Sequence, residues 1–347
     1  MDTPRVSIII VTWNALPLLK QCLPSVVATD YPNLEIIVAD NASDDGSAAW
    51  VESEYPAVKV VRHPQNWRFC KGNNRAVPYA TGDYILLLNN DVEVPPGWLR
   101  PLVEAFETDP EIGAAQPKML QYDDRNRFEY AGGAGGFIDR VGYPFTRGRL
   151  FDTMERDRGQ YDTPTDIFWA SGAAIMMRRR ALQQVGLLDE RFDMHMEEID
   201  LCWRMQRAGY RIRYVPESEV YHIGGASLPK YAPEKTYLNF RNSLLMLYKN
   251  LPPHAWHRTF AERMLVDAGA LAQRVGKGQL RHATAIVRAY AHAHRMRTSF
   301  QQGTGGCVVR PPYQSWVAMD YFALRRRTFA ELPVACFDSS LRAAEAT

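Results

Sequence analysis

Five short stretches of the chain carry residues whose types and spacing could do chemistry. In YILLLNNDVEV (84–94) an apolar run stops on Asn89, Asn90 and Asp91. One carboxylate there can hold a hard cation such as Mg²⁺ or Mn²⁺ on a diphosphate, because substrate oxygens and water complete the coordination. An Asp at a strand end is also ordinary turn chemistry. In MHMEEIDLCWR (194–204) Glu197, Glu198 and Asp200 crowd the start of a helix. Acids favour a helix amino end electrostatically, but crowded carboxylates also raise one another's pKa, which suits a general base.

The other three stretches are weaker alone. VADNASDDGS (38–47) puts Asp40 directly after an apolar strand, with helix-capping and turn residues behind it. A carboxylate in that place can accept hydrogen bonds from a nucleotide base or ribose. NWRFCKGNNRA (66–76) could set Lys71, Gly72 and Asn73 or Asn74 near a diphosphate, or could be a plain loop feeding a helix. Both glycine-rich phosphate-loop patterns are absent from it. YHIGGAS (221–227) places His222 after a strand, and the Gly224–Gly225 pair would let the imidazole swing to a metal.

These residues need a frame. The first half alternates RVSIIIVTW, LEIIVAD, VKVVRH and DYILLLNND, read as strands, with helix-patterned segments between them. Short, continuously apolar strands separated by helices predict a mostly parallel α/β sheet covered on both faces. Ligands of such sheets bind beyond the carboxyl ends of the strands. Thr12, Trp13, Asn14, Asp40, Asn41, Asn89, Asn90 and Asp91 all fall there, and three strands ending in polar residues point to one shared site. Residues 116–170, with AGGAGG (131–136) and many charges, read as mobile loops over that site. IFWASGAAIMMRRRALQQVG then gives a strand and a helix.

Composition bounds the class. The chain has 347 residues, 46% hydrophobic and 23% charged, with a net charge of +2. That is a globular balance with no sign of a nucleic-acid partner. Five scattered cysteines without a C-x-x-C argue against a disulfide framework or a structural zinc site, and for free thiols in a reducing cytosol. The amino terminus has no secretory-signal pattern, and no run of ~18 apolar residues predicts a spanning helix.

In this order and spacing, the stretches VSIIIVTWN, VADNASDDGS, NWRFCKGNN, LLLNNDVEV, SGAAIMMRR, LLDERFDMHMEEIDLCWR and HIGGAS resemble bacterial glycosyltransferase family 2 enzymes of GT-A fold, in particular the rhamnosyltransferase-like branch. The resemblance implies a Rossmann-like catalytic domain over 1–227, with a nucleotide-sugar half to about 115 and an acceptor half over 116–227. It implies that Thr12, Asn14 and Asp40 hold the base and ribose, that Asn73 lies near the donor, and that Asn89, Asn90 and Asp91 occupy the place of the D-x-D motif. Asp91 and His222 would hold Mn²⁺ or Mg²⁺, Glu198 would be the base, and Glu197, Asp200 and Trp203 would lie on the acceptor side. Two departures stand out: Asn89 replaces the first D-x-D aspartate, and the base is Glu where many relatives have Asp.

The implied reaction is a metal-dependent single displacement, with inversion, from a dTDP-, UDP- or GDP-sugar to a glycan or lipid-linked hydroxyl in cell-envelope polysaccharide synthesis, rhamnose being a candidate sugar. A nucleotidyltransferase making nucleotide sugars is the rival enzyme, disfavoured because IVTWNALPLL lacks a glycine loop. A non-catalytic GT-A-like binding protein is the other rival. Residues 228–347 read as a helical region rich in Arg and His. It is either a packed extension or a basic amphipathic surface on anionic lipid, with Tyr237, Phe240, Tyr248, Trp256 and Phe260 among Arg241, Lys249, Arg258 and Arg263. The expected location is cytoplasmic, with peripheral contact at the inner face of the plasma membrane as the further expectation.

Overall fold

A computed structural model of the chain describes residues 3–224, 232–302 and 307–338. The expected alternation opens it: β1 (Val6–Thr12), α1 (Leu16–Val27), β2 (Leu34–Asp40), α2 (Ser47–Glu54), β3 (Lys59–Arg62), α3 (Arg68–Ala76) and β4 (Tyr84–Leu88). β1 lies between β2 and β4, and β3 follows β2, all parallel. Ile8, Ile9, Ile37, Val38, Ile85 and Leu86 are each 0–1% exposed, which is why these strands read as continuously apolar.

The sheet then becomes mixed. After β5 (Val92–Glu93) and α4 (Leu99–Thr108) comes the ten-residue β6 (Ile112–Gln121). Four short strands follow: β7 (Gly136–Ile138), β8 (Pro144–Thr146), β9 (Arg149–Leu150) and β10 (Thr153–Met154). β11 (Thr165–Ile167), β12 (Ala174–Arg178), α5 (Arg179–Val185), α6 (Glu197–Arg207) and β13 (Arg211–His222) complete this part. The main sheet runs β11-β13-β6-β12-β4-β1-β2-β3, with β5 beside the end of β13. β12 is antiparallel to both β4 and β6, whereas β6 and β13 are parallel to each other.

The expectation of mobile loops over 116–170 is corrected here. Residues to Gln121 belong to β6 inside the main sheet, and β7–β10 form a second, antiparallel four-stranded sheet. Its strands of two or three residues are too short to show a period, so the sequence hides them. The glycine cluster serves close packing: a Cβ on Gly136 would lie 2.1 Å from the Trp169 ring.

Among the described residues that follow, the α-helices are α7 (Pro233–Asn250), α8 (Pro253–Gly276), α9 (Leu280–Met296) and α10 (Val317–Phe322). One buried cluster runs from Ile9 and Ile37 through Phe192 and Leu245 to Tyr313 and Phe337, so these helices share the core of the sheet. The expected surface of aromatic and basic residues over 237–263 is turned largely inward. Tyr237, Arg241, Trp256 and Arg263 are buried. Trp256 meets Tyr248 edge to face and Phe260 at a tilt, with ring centroids 5.4 and 4.9 Å apart. Among the described residues, no helix is long and apolar enough to cross a membrane.

Candidate active site

The sheet register aligns the strand ends. Thr12 pairs with Asp40 across β1 and β2, and the Asn41 amide donates to the Thr12 carbonyl at 2.9 Å. Asp40 is 1% exposed; one carboxylate oxygen accepts from the Ser43 amide at 3.1 Å, and the other has no protein partner. A buried acceptor left open is costly unless a ligand donor meets it. Trp13 beside it is 53% exposed, an unusual position for so large an apolar ring. Asn14 is occupied otherwise: its backbone has φ 46°, its amide donates to Ser43 Oγ at 2.9 Å, and its side-chain oxygen accepts from the Asp44 amide at 2.9 Å. Asn90 bridges back to Thr12, Nδ2 donating to Oγ1 at 3.1 Å.

The NWRFCKGNNRA stretch, read as either a diphosphate-side loop or a plain loop feeding a helix, is mostly α3 itself, packed on the sheet. A Cβ on Gly72 would meet the Asn41 side chain at 3.0 Å, so this glycine lets α3 approach the sheet. Asn73 is 2% exposed and donates to the Phe69 carbonyl at 2.9 Å within its own helix. Asn74 exchanges hydrogen bonds with the Leu188 backbone.

Beyond β4 and β13 lies a cavity of about 380 Å³. Asn89, Asp91, Glu197, Glu198 and His222 all line it, so residues 131 positions apart in sequence meet there. The join is made by β5, where Val92 pairs with His222. His222 Nε2 stands 3.1 Å from Asp91 Oδ1, and Nδ1 stands 3.3 Å from Glu129 Oε1. Burial opposes the imidazolium charge, but Glu129 and then Asp91 outweigh it and hold the His222 pKa at about 10. Burial raises the Asp91 and Glu129 carboxyls, and the facing imidazolium reverses that and leaves both below the ordinary carboxylate value. Of the Gly224–Gly225 pair, Gly224 has φ 72°, and Gly225 lies outside the described residues.

The same cavity is lined by Glu197 and Glu198. Burial, then the neighbouring Glu198, drives the Glu197 carboxyl far above its ordinary pKa. Burial raises Glu198 to about 7, against the pull of backbone amides at the helix start. Such a carboxylate accepts a proton near neutral pH. The turn feeding this helix is strained: Asp193, His195 and Met196 have φ of 65°, 70° and 73°. The Asn242 side chain, on α7, holds it by donating to the carbonyls of Phe192, Met194 and His195 at 2.8, 2.9 and 2.8 Å.

Two residues expected on the acceptor side do not reach the cavity. Asp200 is fully buried and accepts from Arg204, Lys249 and Asn250, each at 2.8 Å, so it ties α6 to α7. Trp203 is fully buried against Phe168 and donates Nε1 to the Val309 carbonyl at 3.2 Å. Contacts with Lys249 and Asn250 on α7 and with Phe168, rather than helix spacing, take these two side chains away from the cavity. Conversely, Glu129, Tyr122, Tyr130, His195 and Lys235 line the cavity without having been singled out. His195 stood beside the acidic cluster and was legible as a neighbour; Glu129 lay in the segment without periodicity and gave no signal.

Among the described residues, no group of three or more His, Cys, Asp or Glu side chains forms a metal-binding cluster. The Asp91–His222 pair nonetheless fits a hard cation that takes most of its ligands from a diphosphate. The donor set is a buried carboxylate and a histidine that would release its Nε2 proton on binding, while its second nitrogen faces a carboxylate, the usual support of a metal-binding histidine.

The chain is similar to known proteins. An N-acetylglucosaminyl-diphospho-decaprenol L-rhamnosyltransferase of Mycobacterium tuberculosis is 29% identical over 237 residues, 63% of this chain and 76% of that protein. An O-antigen biosynthesis protein of Myxococcus xanthus is 29% identical over 242 residues, 68% of this chain but 18% of its own much longer one. Among solved structures, GalNAc-T7 with UDP, GalNAc and Mn²⁺ aligns with a TM-score of 0.55 at 19% identity, over 71% of this chain and 48% of its own. A mannosyltransferase from Pyrobaculum calidifontis aligns with a TM-score of 0.50 at 18% identity, over 86% and 84% of the two chains. The architecture is therefore that of GT-A glycosyltransferases, with a helical carboxy-terminal region. Residues 7–186 match glycosyl transferase family 2, and the chain belongs to that family.

Proposed function

We propose that this chain transfers a sugar from a nucleoside diphosphate to an acceptor hydroxyl by a single displacement that inverts the anomeric centre. The observation that carries this reading is one cavity lined by both the Asp91–His222 pair and Glu198. Asp40, with an open buried oxygen, and the exposed Trp13 ring offer a polar and an apolar contact for a nucleoside. Thr12 and Asn90 brace the strand ends between that place and the cavity. Asp91 and His222 would hold Mn²⁺ or Mg²⁺, which when bound offsets charge on the departing diphosphate. Glu198 would take the acceptor proton as the hydroxyl attacks, and its raised pKa matches that task near neutral pH.

The Mycobacterium tuberculosis relative, by its name, moves rhamnose onto a diphospho-decaprenol-linked sugar, and it supports a rhamnosyl donor and a lipid-linked acceptor here. Membership of the family removes the ground for the nucleotidyltransferase reading. A thermal-shift panel of dTDP-, UDP- and GDP-sugars, with and without Mn²⁺, tests the reading on wild type and Asp91→Ala. One nucleotide sugar should stabilise wild type in a metal-dependent way, and the variant should lose that dependence. Stabilisation of both proteins to the same extent would place the metal elsewhere, and donor hydrolysis by wild type would exclude a non-catalytic binding protein.

A further inference from the structure

We propose that the tip of the α8–α9 hairpin is a docking surface for an anionic lipid bilayer. α8 has 24 residues, yet its buried ones are only Trp256, Arg263 and Asp267. From Ala268 to His282 no residue of the hairpin is buried. A helix this bare is normally polar all round, but this one is not. Leu265 is 70% exposed, Leu280 62%, Val287 56% and Val275 52%. Leu265, Ala268, Ala272 and Val275 recur at i, i+3, i+7 and i+10, and Leu280, Thr284 and Val287 at i, i+4 and i+7, so each helix carries an exposed, largely apolar stripe.

The charge around the stripes has one sign. Arg274, Lys277 and Arg281 lie among them along the hairpin, while the Arg288 guanidinium sits over the Tyr237 ring. The two acids of α8 and α9, Glu262 and Asp267, point to the body. Glu262 accepts from Arg140 at 2.7 Å, and Asp267 from Arg263 and Tyr290 at 2.9 and 2.7 Å. Exposed apolar residues set among cations, with no exposed acid between them, match the interface of an anionic bilayer. A second copy of this chain is the wrong occupant, since a two-fold contact would press the same cations against themselves.

The hairpin also reaches the cavity rim. His282 Nδ1 and Thr236 Oγ1 are 2.8 Å apart, and Lys235, next to Thr236, lines the cavity. A docked hairpin would therefore bring the cavity rim close to the headgroups; the use of that placement for a lipid-linked acceptor rests on the function proposed above.

Flotation of the full chain with vesicles tests the surface. Wild type should float at low salt with vesicles of equal phosphatidylglycerol and phosphatidylcholine, and should stay behind with phosphatidylcholine alone. Lys277→Ala with Arg281→Ala should weaken the association about thirtyfold, and Leu265→Asp with Leu280→Asp should abolish it, with unchanged melting temperatures because all four residues are exposed. Absence of wild-type binding, equal binding by either variant, or a concentration-dependent dimer dissolved by Leu265→Asp would overturn the proposal. Nucleotide-sugar thermal shifts are expected to be the same in wild type and both double variants, so failure of the donor reading and failure of the lipid surface are separately visible.

Discussion

Thr12, Asp40 and Asn90 are placed by neighbouring parallel strands, while Glu197 and Glu198 are placed by a strained turn that a helix far along the chain holds in shape. On the first side, register alone aligns the residues: Thr12 faces Asp40, and Asn90 reaches Thr12. On the second, φ values of 65–73° at Asp193, His195 and Met196 persist because Asn242 binds three carbonyls of the turn. The strand-end side is thus built by local sequence and sheet pairing. The Glu197–Glu198 side depends on a contact some fifty residues away, Asn242 lying 47 positions from His195. Variants can separate the two.

The largest effect is expected from Glu198→Gln. It removes the proton acceptor and keeps the size, so turnover should fall by about 10²-fold or more while nucleotide-sugar binding persists. In wild type, turnover should rise with pH as Glu198 loses its proton, with an inflection near its pKa of about 7. A variant with full activity, or a rate independent of pH through that range, would remove Glu198 from the mechanism.

Next comes Asn242→Ala, which leaves the strained turn without its clamp. Glu197 and Glu198 would shift relative to Asp91 and His222, and small misplacements are costly in rate. Turnover per folded molecule should drop about thirtyfold with nucleotide affinity unchanged. A purely structural role would lower only the melting temperature and leave the kinetics of the folded fraction intact, so measuring both decides the matter.

Glu129→Gln probes the strand side in a place the sequence concealed. The carboxylate faces Nδ1 of His222 and holds the imidazole toward Asp91. Removing its charge should weaken Mn²⁺-dependent nucleotide binding about tenfold, as loss of a group behind a metal ligand typically does. Binding of the nucleotide without metal should be unchanged. Manganese titration followed by its paramagnetic resonance signal reads the effect without turnover.

The contrast between the two sides also explains what was legible in the sequence. β1, β2 and β4 announce themselves through unbroken apolar runs, and a polar residue at such a run's end is visible as a candidate ligand. Asp91 was found that way, His222 as a histidine after a strand, and Glu197 and Glu198 as acids crowding a helix start, and the cavity gathers all four. Glu129 was lost because it lies between β6 and β7, outside any strand or helix whose period could point to it. The number of acids at the start of α6 was visible, but which of them turn toward α7 depends on packing. Asp200 and Trp203 were therefore grouped with Glu197, although Lys249, Asn250 and Phe168 claim them. In the helical region, the count of aromatic and basic residues was plain, but Trp256 and Arg263 point inward, and the exposed stripe lies at Leu265, Val275, Leu280 and Val287.

Asp200→Asn should have the smallest effect on chemistry and sharpens the comparison most. Asp200 sits in the acidic cluster yet outside the cavity, so turnover per folded molecule and nucleotide affinity should both match wild type. Stability should fall by about 3 kcal/mol, because Arg204 and Lys249 lose a buried partner. Lys249 keeps Asp189 at 2.8 Å, which limits the loss. Burial raises the Asp200 carboxyl, but Arg204 and Lys249 overcome it and leave the pKa below the ordinary value. A carboxylate depressed in the folded state contributes stability above its unfolded pKa and loses it as pH falls through the folded one. The stability gap between wild type and Asp200→Asn should therefore be full at neutral pH and close in acid, measured by urea unfolding across pH. A gap that stayed constant into acid, or a variant with altered turnover, would return Asp200 to the cavity.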